Sequence, residues 1–136
     1  MHFNNPVASV SWDDVANAVC VEWKQFGEGA EFRAVLNAGV DLLVERKATS
    51  WIGDLRNLGP VTQEDQKWAA ESWLLRATAG GLTHLALVSP RKIVAQMAVK
   101  TFMNKVDGRE LFVGNFEDIE VARAWLRDQG GGIVRR

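Results

Sequence analysis

The chain has 136 residues, of which 47% are hydrophobic, and its 16 Lys and Arg side chains almost balance its 17 Asp and Glu side chains. This length suits one domain with an apolar core, and the near-neutral charge provides no basic field that would attract nucleic acid. We therefore expect one domain over residues 1–129, a flexible C-terminal tail over residues 130–136, and no nucleic-acid partner.

Apolar runs in the sequence are far shorter than the roughly 20 residues that a membrane-spanning helix needs. The N-terminus also lacks the charged and apolar regions of a secretory leader. These features predict a cytoplasmic protein without a membrane span. Cys20 is the only cysteine, so it cannot form an internal disulfide, and its alternating surroundings favour a cysteine packed in a strand over a nucleophile.

The first third of the chain predicts a β-hairpin followed by an amphipathic helix. Residues 7–12 and 18–26 have strand composition, and the Asp and Asn residues between them favour a turn. Apolar residues then recur at helical spacing over residues 32–43. Gly39 lies within this stripe and lowers helix propensity by roughly 1 kcal/mol, which indicates close approach of the helix to a strand.

The centre of the chain predicts a βαβ crossover, with strands at residues 49–56 and 82–88 around a helix at residues 62–79. Thr62 is the expected N-cap of that helix, with Asp65 three residues later, and this role is favoured over phosphorylation of Thr62. Glu64 and Asp65 are explained by the helix dipole, since carboxylates in a first turn are stabilised there.

The last third predicts a helix over residues 91–105, a strand over residues 111–113 and a final helix after Asp118. The complete order is ββαβαβαβα. It predicts an α/β fold with a mostly parallel five-stranded sheet, an N-terminal antiparallel hairpin and four helices.

Four groups of residues together resemble the SpoIIAA-like proteins, short bacterial relatives of STAS domains and of the CRAL-TRIO lipid-transfer domain. They are Asp54-Leu55-Arg56, Glu64-Asp65-Gln66-x-Trp68, Trp73-Leu74-x-Arg76-Ala77, and Phe116-Glu117-Asp118-x-Glu120-x-Ala122-x-Ala124-Trp125-Leu126. The resemblance implies a small β/α sandwich of undefined activity. The Asp-Ser pair of the STAS phosphoswitch is absent after Asp54, and so short a chain argues against the large enclosed pocket of the lipid-transfer relatives.

Polar residues should gather where the parallel strands end, because ligands of open α/β sheets usually bind at that edge. The candidates are Asp54, Arg56 and Asn57 after one strand, and Ser89 and Arg91 after the next. They suit an anion or a polar partner, since a guanidinium can donate two hydrogen bonds to a carboxylate or phosphate. The alternative is that Asp54 and Arg56 pair with each other, with Arg91 left in solvent.

Two predicted helices carry apolar residues on two faces, so one face of each is not needed against the sheet. In the helix at residues 62–79, Trp73 and Leu74 lie on one face, and Trp68 and Leu75 lie on the other. In the helix at residues 91–105, one stripe contains Ile93, Val94, Met97 and Ala98, and the other contains Ala95, Val99, Phe102, Met103 and Val106. These second faces either pack internally or meet a partner, a homodimer mate or an apolar ligand.

The sequence predicts no cofactor, metal or catalytic group. His84 lies beside an apolar strand and is expected to be structural, and neither His84 nor Cys20 belongs to a recognisable catalytic spacing. We expect a non-enzymatic regulatory domain that acts by binding a protein partner, and a homodimer is expected as one such interaction. The alternative is a binder of a small apolar or lipid-like ligand whose anionic head lies near Arg56 or Arg91.

Overall fold

A computed structural model describes residues 3–106 and 111–129 of the chain. The predicted tail at residues 130–136 and the predicted turn at Asp107-Gly108 lie outside the described residues. The strands are β1 (Phe3–Asn4), β2 (Ala8–Asp13), β3 (Ala18–Trp23), β4 (Ser50–Asp54), β5 (His84–Val88) and β6 (Phe112–Phe116).

The strands form one sheet in chain order from β1 to β6. Pairing is antiparallel from β1 to β3 and parallel from β3 to β6, so the predicted α/β architecture with an N-terminal hairpin is confirmed. The predicted number of five strands is wrong, because β1 adds a sixth at the edge. β1 has two residues, which are too few for an alternating pattern. After it, Oδ1 of Asn5 turns the chain by accepting hydrogen bonds from the N–H groups of Val7 and Ala8 at 2.8 and 3.0 Å.

The described part of the chain contains the four predicted helices. Their bounds are α1 (Gly29–Arg46), α2 in the continuous segments Gln63–Trp68, Ala69–Trp73 and Leu74–Ala79, α3 (Ile93–Val106), and α4 (Ile119–Gln129). The central segment of α2 is a π-helix. Thr62 is the N-cap of α2 as predicted, and its hydroxyl accepts from the N–H of Asp65 at 3.1 Å. None of these helices is long and apolar enough to cross a membrane.

The helices cover the two faces of the sheet unequally. α1, α2 and α3 bury the larger core against one face, whereas α4 packs on the other face, where Ile52 and Leu126 belong to a smaller core. Side chains alternate along a strand, so Trp51 and Gly53 of β4 face the larger core and Asp54 points to the α4 side. This alternation decides which candidate residues can share a site.

The close approach predicted at Gly39 is confirmed. A Cβ atom at Gly39 would collide with the six-membered ring of Trp51, which lies directly against the backbone of α1. The glycine therefore fixes the position of Trp51, and Trp51 forms part of the cavity described below.

Candidate functional site

The strand-end residues Asp54 and Arg56 pair with each other. Nε and Nη2 of Arg56 donate to the two carboxylate oxygens of Asp54 at 2.9 and 2.7 Å, and Asp54 is buried. The hydrogen bond to Asp54 raises the pKa of Arg56 above its ordinary value. This guanidinium is already occupied by a carboxylate, which leaves it a weak candidate for a further anion.

The other predicted strand-end residues form a second polar pair beside the first. Nη1 of Arg91 donates to Oδ1 of Asn57 at 3.2 Å, and both side chains are exposed. The backbone N–H of Arg91 donates to the carbonyl of Arg56 at 3.3 Å, and that of Ser89 donates to the carbonyl of Phe116 at 2.8 Å. The predicted residues therefore lie near the carboxyl ends of the parallel strands, where Arg56 pairs with Asp54 and Arg91 pairs with Asn57.

The two apolar faces predicted for α2 differ in burial. Trp73 and Leu74, on the first of these faces, are buried. Trp68 is half-buried against the core, with the guanidinium of Arg33 5.3 Å from its ring centre, whereas Leu75 is 54% exposed. Only Leu75 is therefore left on the surface as an exposed large apolar residue of this helix.

The described side chains of the α3 stripe that contains Phe102 pack inward. Of the other stripe, Ile93, Val94 and Met97 face outward, whereas Ala98 is buried. Phe102 lies against the core, where its ring centre is 6.0 Å from that of Trp73. Ile93 and Met97 are 71% and 64% exposed, and Val94 between them is also exposed. We call these three residues the outer α3 surface.

A cavity of about 110 Å³ lies between the sheet and helices α1, α2 and α3. None of the described residues that line it is charged, and Gln66 is the one lining residue with a polar side chain apart from the tryptophans. The lining consists of Trp23, Phe32, Leu36, Trp51, Gly53, Leu55, Leu58, Val61, Gln66, Ala69, Trp73, Leu85, Leu87, Ala98, Val99 and Phe102.

The cavity opens between the start of α2 and the middle of α3. The lining residues that are half-buried rather than buried are Val61, Gln66, Val99 and Phe102, and they mark this opening. Nε2 of Gln66 donates to the carbonyl of Val61 at 2.9 Å, which fixes one side of the opening.

Three of the residues that line the cavity are small. Gly53 lies in the middle of β4, Ala69 lies in α2, and Ala98 lies in α3, and all three line the cavity. A glycine inside a strand often marks a place where a ligand or another backbone approaches closely. Larger side chains at these positions would fill the cavity from the sheet side and from both helices.

Aromatic rings form one wall of the cavity. Trp51 and Trp73 meet edge to face with ring centres 5.0 Å apart, and Phe102 continues the row beyond Trp73. Trp23 and Phe32 stack at 5.1 Å elsewhere in the lining. Edge-to-face and stacked contacts are favourable arrangements of aromatic quadrupoles, so these rings hold one another in fixed positions.

The π-helical segment of α2 contributes to the same wall. The N–H of Leu74 donates to the carbonyl of Ala69, five residues earlier, instead of to the residue four earlier. Ala69 and Trp73, the first and last residues of this segment, both line the cavity. Such π-helical turns are rare and frequently occur at functional sites.

Trp73 carries a polar atom that has no partner among the described residues. The side chain is 3% exposed, and its indole nitrogen Nε1 is buried without a hydrogen bond. A buried N–H group without a partner costs about 1–3 kcal/mol. Trp73 therefore carries a buried hydrogen-bond donor that none of the described residues satisfies.

Asp65 adjoins Gln66 at the opening and joins α2 to α1. Its buried carboxylate accepts from the backbone N–H of Gly29 at 2.8 Å and from Nε of Arg33 at 3.3 Å. The explanation by the helix dipole alone is therefore incomplete, because a long-range pair with α1 accounts for the burial of this carboxylate. A pattern of nearby residues could not reveal a partner 36 positions away.

The residues considered for catalysis lie on the other face of the sheet. Burial and nearby carboxylates raise the pKa of the Cys20 thiol to about 12, so the thiol stays protonated. The ring of His84 stacks on Phe112 and lies tilted against Trp125, with ring centres 5.7 Å apart, and burial lowers the pKa of His84. Within residues 3–106 and 111–129, no group of three or more His, Cys, Asp or Glu side chains could hold a metal ion.

Comparison with protein-family models, with curated proteins and with solved structures gives no match to this chain. The candidate site is therefore defined by the geometry of the cavity alone. Of the predicted site residues, Phe102 lines it, and Asp54, Arg56, Asn57, Ser89 and Arg91 do not. Gly53 in a central strand was the sequence signal that could have indicated it.

Proposed function

We propose that the chain is a binding protein whose cavity takes a small apolar ligand. The uncharged, apolar lining, which includes five aromatic side chains, is the observation that supports this proposal, since ligand sites are mostly apolar with a few polar groups that orient the ligand. The proposal is one of binding and not of catalysis. Membership of the SpoIIAA-like family remains a prediction from the sequence and is not needed for it.

The size of the cavity supports a ligand of one ring and not a lipid chain. An apolar cavity of about 150 Å³ engineered into another protein stays dry and binds benzene. The cavity here, at about 110 Å³, is of comparable size and has an opening. The predicted head-group residues Arg56 and Arg91 are outside the lining, so the expected lipid-like ligand with an anionic head is replaced by a smaller, uncharged one.

The energetic cost of the cavity also favours a ligand. Side chains that line a cavity have fewer van der Waals contacts than side chains in a filled core, which lowers stability. A bound ligand would restore the lost contacts, and larger side chains at Gly53, Ala69 or Ala98 would remove the need for one.

Benzene titration followed by NMR tests the proposal. Saturable shifts should occur at residues of the lining, and Ala98→Leu should weaken binding about tenfold or more by occupying the space while the protein stays folded. Ala79→Leu adds the same atoms at an exposed position of α2 and should leave binding unchanged. Absence of saturable shifts in the wild-type protein would refute the proposal.

A second candidate function is binding of a second copy of the chain through the outer α3 surface. Ile93, Val94 and Met97 support it, because adjacent exposed apolar residues are typical of interfaces. A two-fold dimer places the same surface of both copies in contact, and three uncharged side chains can meet their own copies without charge repulsion.

Sedimentation velocity tests this second candidate. The wild-type protein should sediment as a dimer, and Met97→Glu should give a monomer because charges would oppose each other across the interface. Ala79→Glu places the same charge at an exposed position of α2, away from the outer α3 surface, and should leave the dimer intact. A wild-type protein that is monomeric at all concentrations would exclude this candidate.

A further inference from the structure

We propose that β6 pairs in an antiparallel direction with β6 of a second copy of the chain, so that the two six-stranded sheets become one. This inference rests on the second candidate function, homodimerisation, and it adds a strand interface beside the outer α3 surface.

The backbone of β6 has hydrogen-bonding groups that face away from the sheet. β6 is the last strand in the sheet order, and no other described strand pairs with its outer side. The N–H of Phe112 donates to a carbonyl just before β5 at 2.8 Å, and the carbonyl of Phe116 accepts from an N–H just after β5 at 2.8 Å. Because this direction alternates along a strand, the N–H and C=O groups of Val113 and Asn115 face the free edge.

The sequence of β6 lacks the features that usually protect an edge strand from pairing. Proteins block such edges with charged side chains, proline, bulges or very short strands. β6 has no charge and no proline, and its five residues pair with β5 without a bulge. At the opposite edge, β1 has only two residues, and the ammonium group of Lys24 donates to Asn4. β6 is therefore the edge that is suited to pairing.

The order of side chains suits pairing of β6 with itself. With a two-fold axis at Gly114, Val113 of each copy lies opposite Asn115 of the other, and their outward N–H and C=O groups form hydrogen bonds in both directions. Gly114 faces its own copy, and no side chain separates the strands there. Phe112 is 65% exposed and lies opposite Phe116 of the second copy, and such aromatic pairs stabilise a sheet. This register favours a second copy of the chain over an unrelated extended peptide.

α3 is the helix nearest to this edge. The three helices on the larger core connect neighbouring strands in chain order, and α3 connects β5 to β6. Phe102 packs toward Trp73 of α2, so the outer α3 surface, on the opposite side of the helix, is turned away from α2. The two-fold axis is perpendicular to the joined sheet and places α3 of both copies on the same face. The outer α3 surface and β6 thus contribute to one interface.

Proline at position 115 tests the inference. Asn115→Pro removes an N–H that faces the free edge and leaves the hydrogen bonds to β5 intact, and edge strands tolerate proline in this orientation. Sedimentation velocity should show that the dissociation constant of the dimer rises about tenfold or more, because each copy loses a hydrogen bond to the other. Asn115→Ala alters the same exposed side chain but keeps the N–H, and it should leave the dissociation constant within about threefold of the wild-type value.

Amide hydrogen exchange in the wild-type protein gives a second measurement that does not depend on the folding of a variant. Measured by NMR, the N–H groups of Val113 and Asn115 should be protected at concentrations where the protein is dimeric and should lose this protection on dilution. The N–H of Gly114, which faces β5, should stay protected at both concentrations.

Rapid exchange of Val113 and Asn115 in the dimer would overturn the inference, as would an Asn115→Pro dimer as stable as that of the wild type. If Met97→Glu is monomeric while Asn115→Pro still dimerises, the second candidate function stands and the β6 interface is excluded. A wild-type protein that is monomeric at all concentrations would exclude both.

Discussion

Asp65 is the residue whose substitution should most clearly separate long-range pairing from helix capping. Asp65→Ala leaves the N–H of Gly29 and the guanidinium of Arg33 without their acceptor, and it retains the backbone N–H that Thr62 caps. We expect the free energy of unfolding, measured with urea, to fall by about 2–4 kcal/mol. Asp41→Ala removes an exposed carboxylate 4.0 Å from Arg76 and should change the free energy of unfolding by less than about 0.5 kcal/mol. Equal effects of the two substitutions would contradict the structural role of Asp65.

His84 should make stability depend on pH in a defined direction. Burial lowers its folded-state pKa below the ordinary value of 6.5, so the unfolded chain binds more protons near that pH. The stabilisation is complete above pH 6.5 and is lost as the pH falls through this value. The free energy of unfolding should therefore decrease from about pH 7.5 to about pH 5.5, and the decrease should be smaller in His84→Gln. An identical decrease in both proteins would show that His84 does not contribute.

Among helix residues, Gly39 connects α1 to the cavity wall through Trp51. Gly39→Ala should lower the free energy of unfolding by about 1–3 kcal/mol, because the methyl group overlaps the Trp51 ring and this outweighs the helix propensity gained. In a Trp51→Phe background the smaller ring should reduce this loss by about 1 kcal/mol or more. A double-mutant cycle by urea unfolding measures the coupling, and additive effects would indicate that the two positions do not touch.

The elements of α2 and α3 show what periodicity can and cannot predict. Periodicity separated the two faces of α2, since Trp73 and Leu74 are buried and Leu75 is exposed. The π-helical turn was not predicted, because a pattern analysis assumes the same number of residues in every turn. For α3, the pattern revealed two apolar stripes but could not decide which stripe faces inward, since that depends on how the helix packs on α2.

The molecule as a whole was predicted well in its architecture and poorly in its site. Alternating strands and helices are enough to predict parallel pairing and the four helices, whereas β1 is too short to produce a pattern. The cavity is a small difference between large volumes contributed by the sheet, three helices and a loop. No local sequence signal reports such a difference, although Gly53 within β4 indicates one of its causes.

The central claim is that this cavity receives a ligand, and diffraction from crystals soaked in benzene tests it most directly. We predict density for one planar ring bounded by Gly53, Ala69, Trp73 and Ala98, with the surrounding side chains in their present positions. A crystal structure that shows no density for benzene, with the cavity closed by the Trp73 or Phe102 ring, would contradict the account.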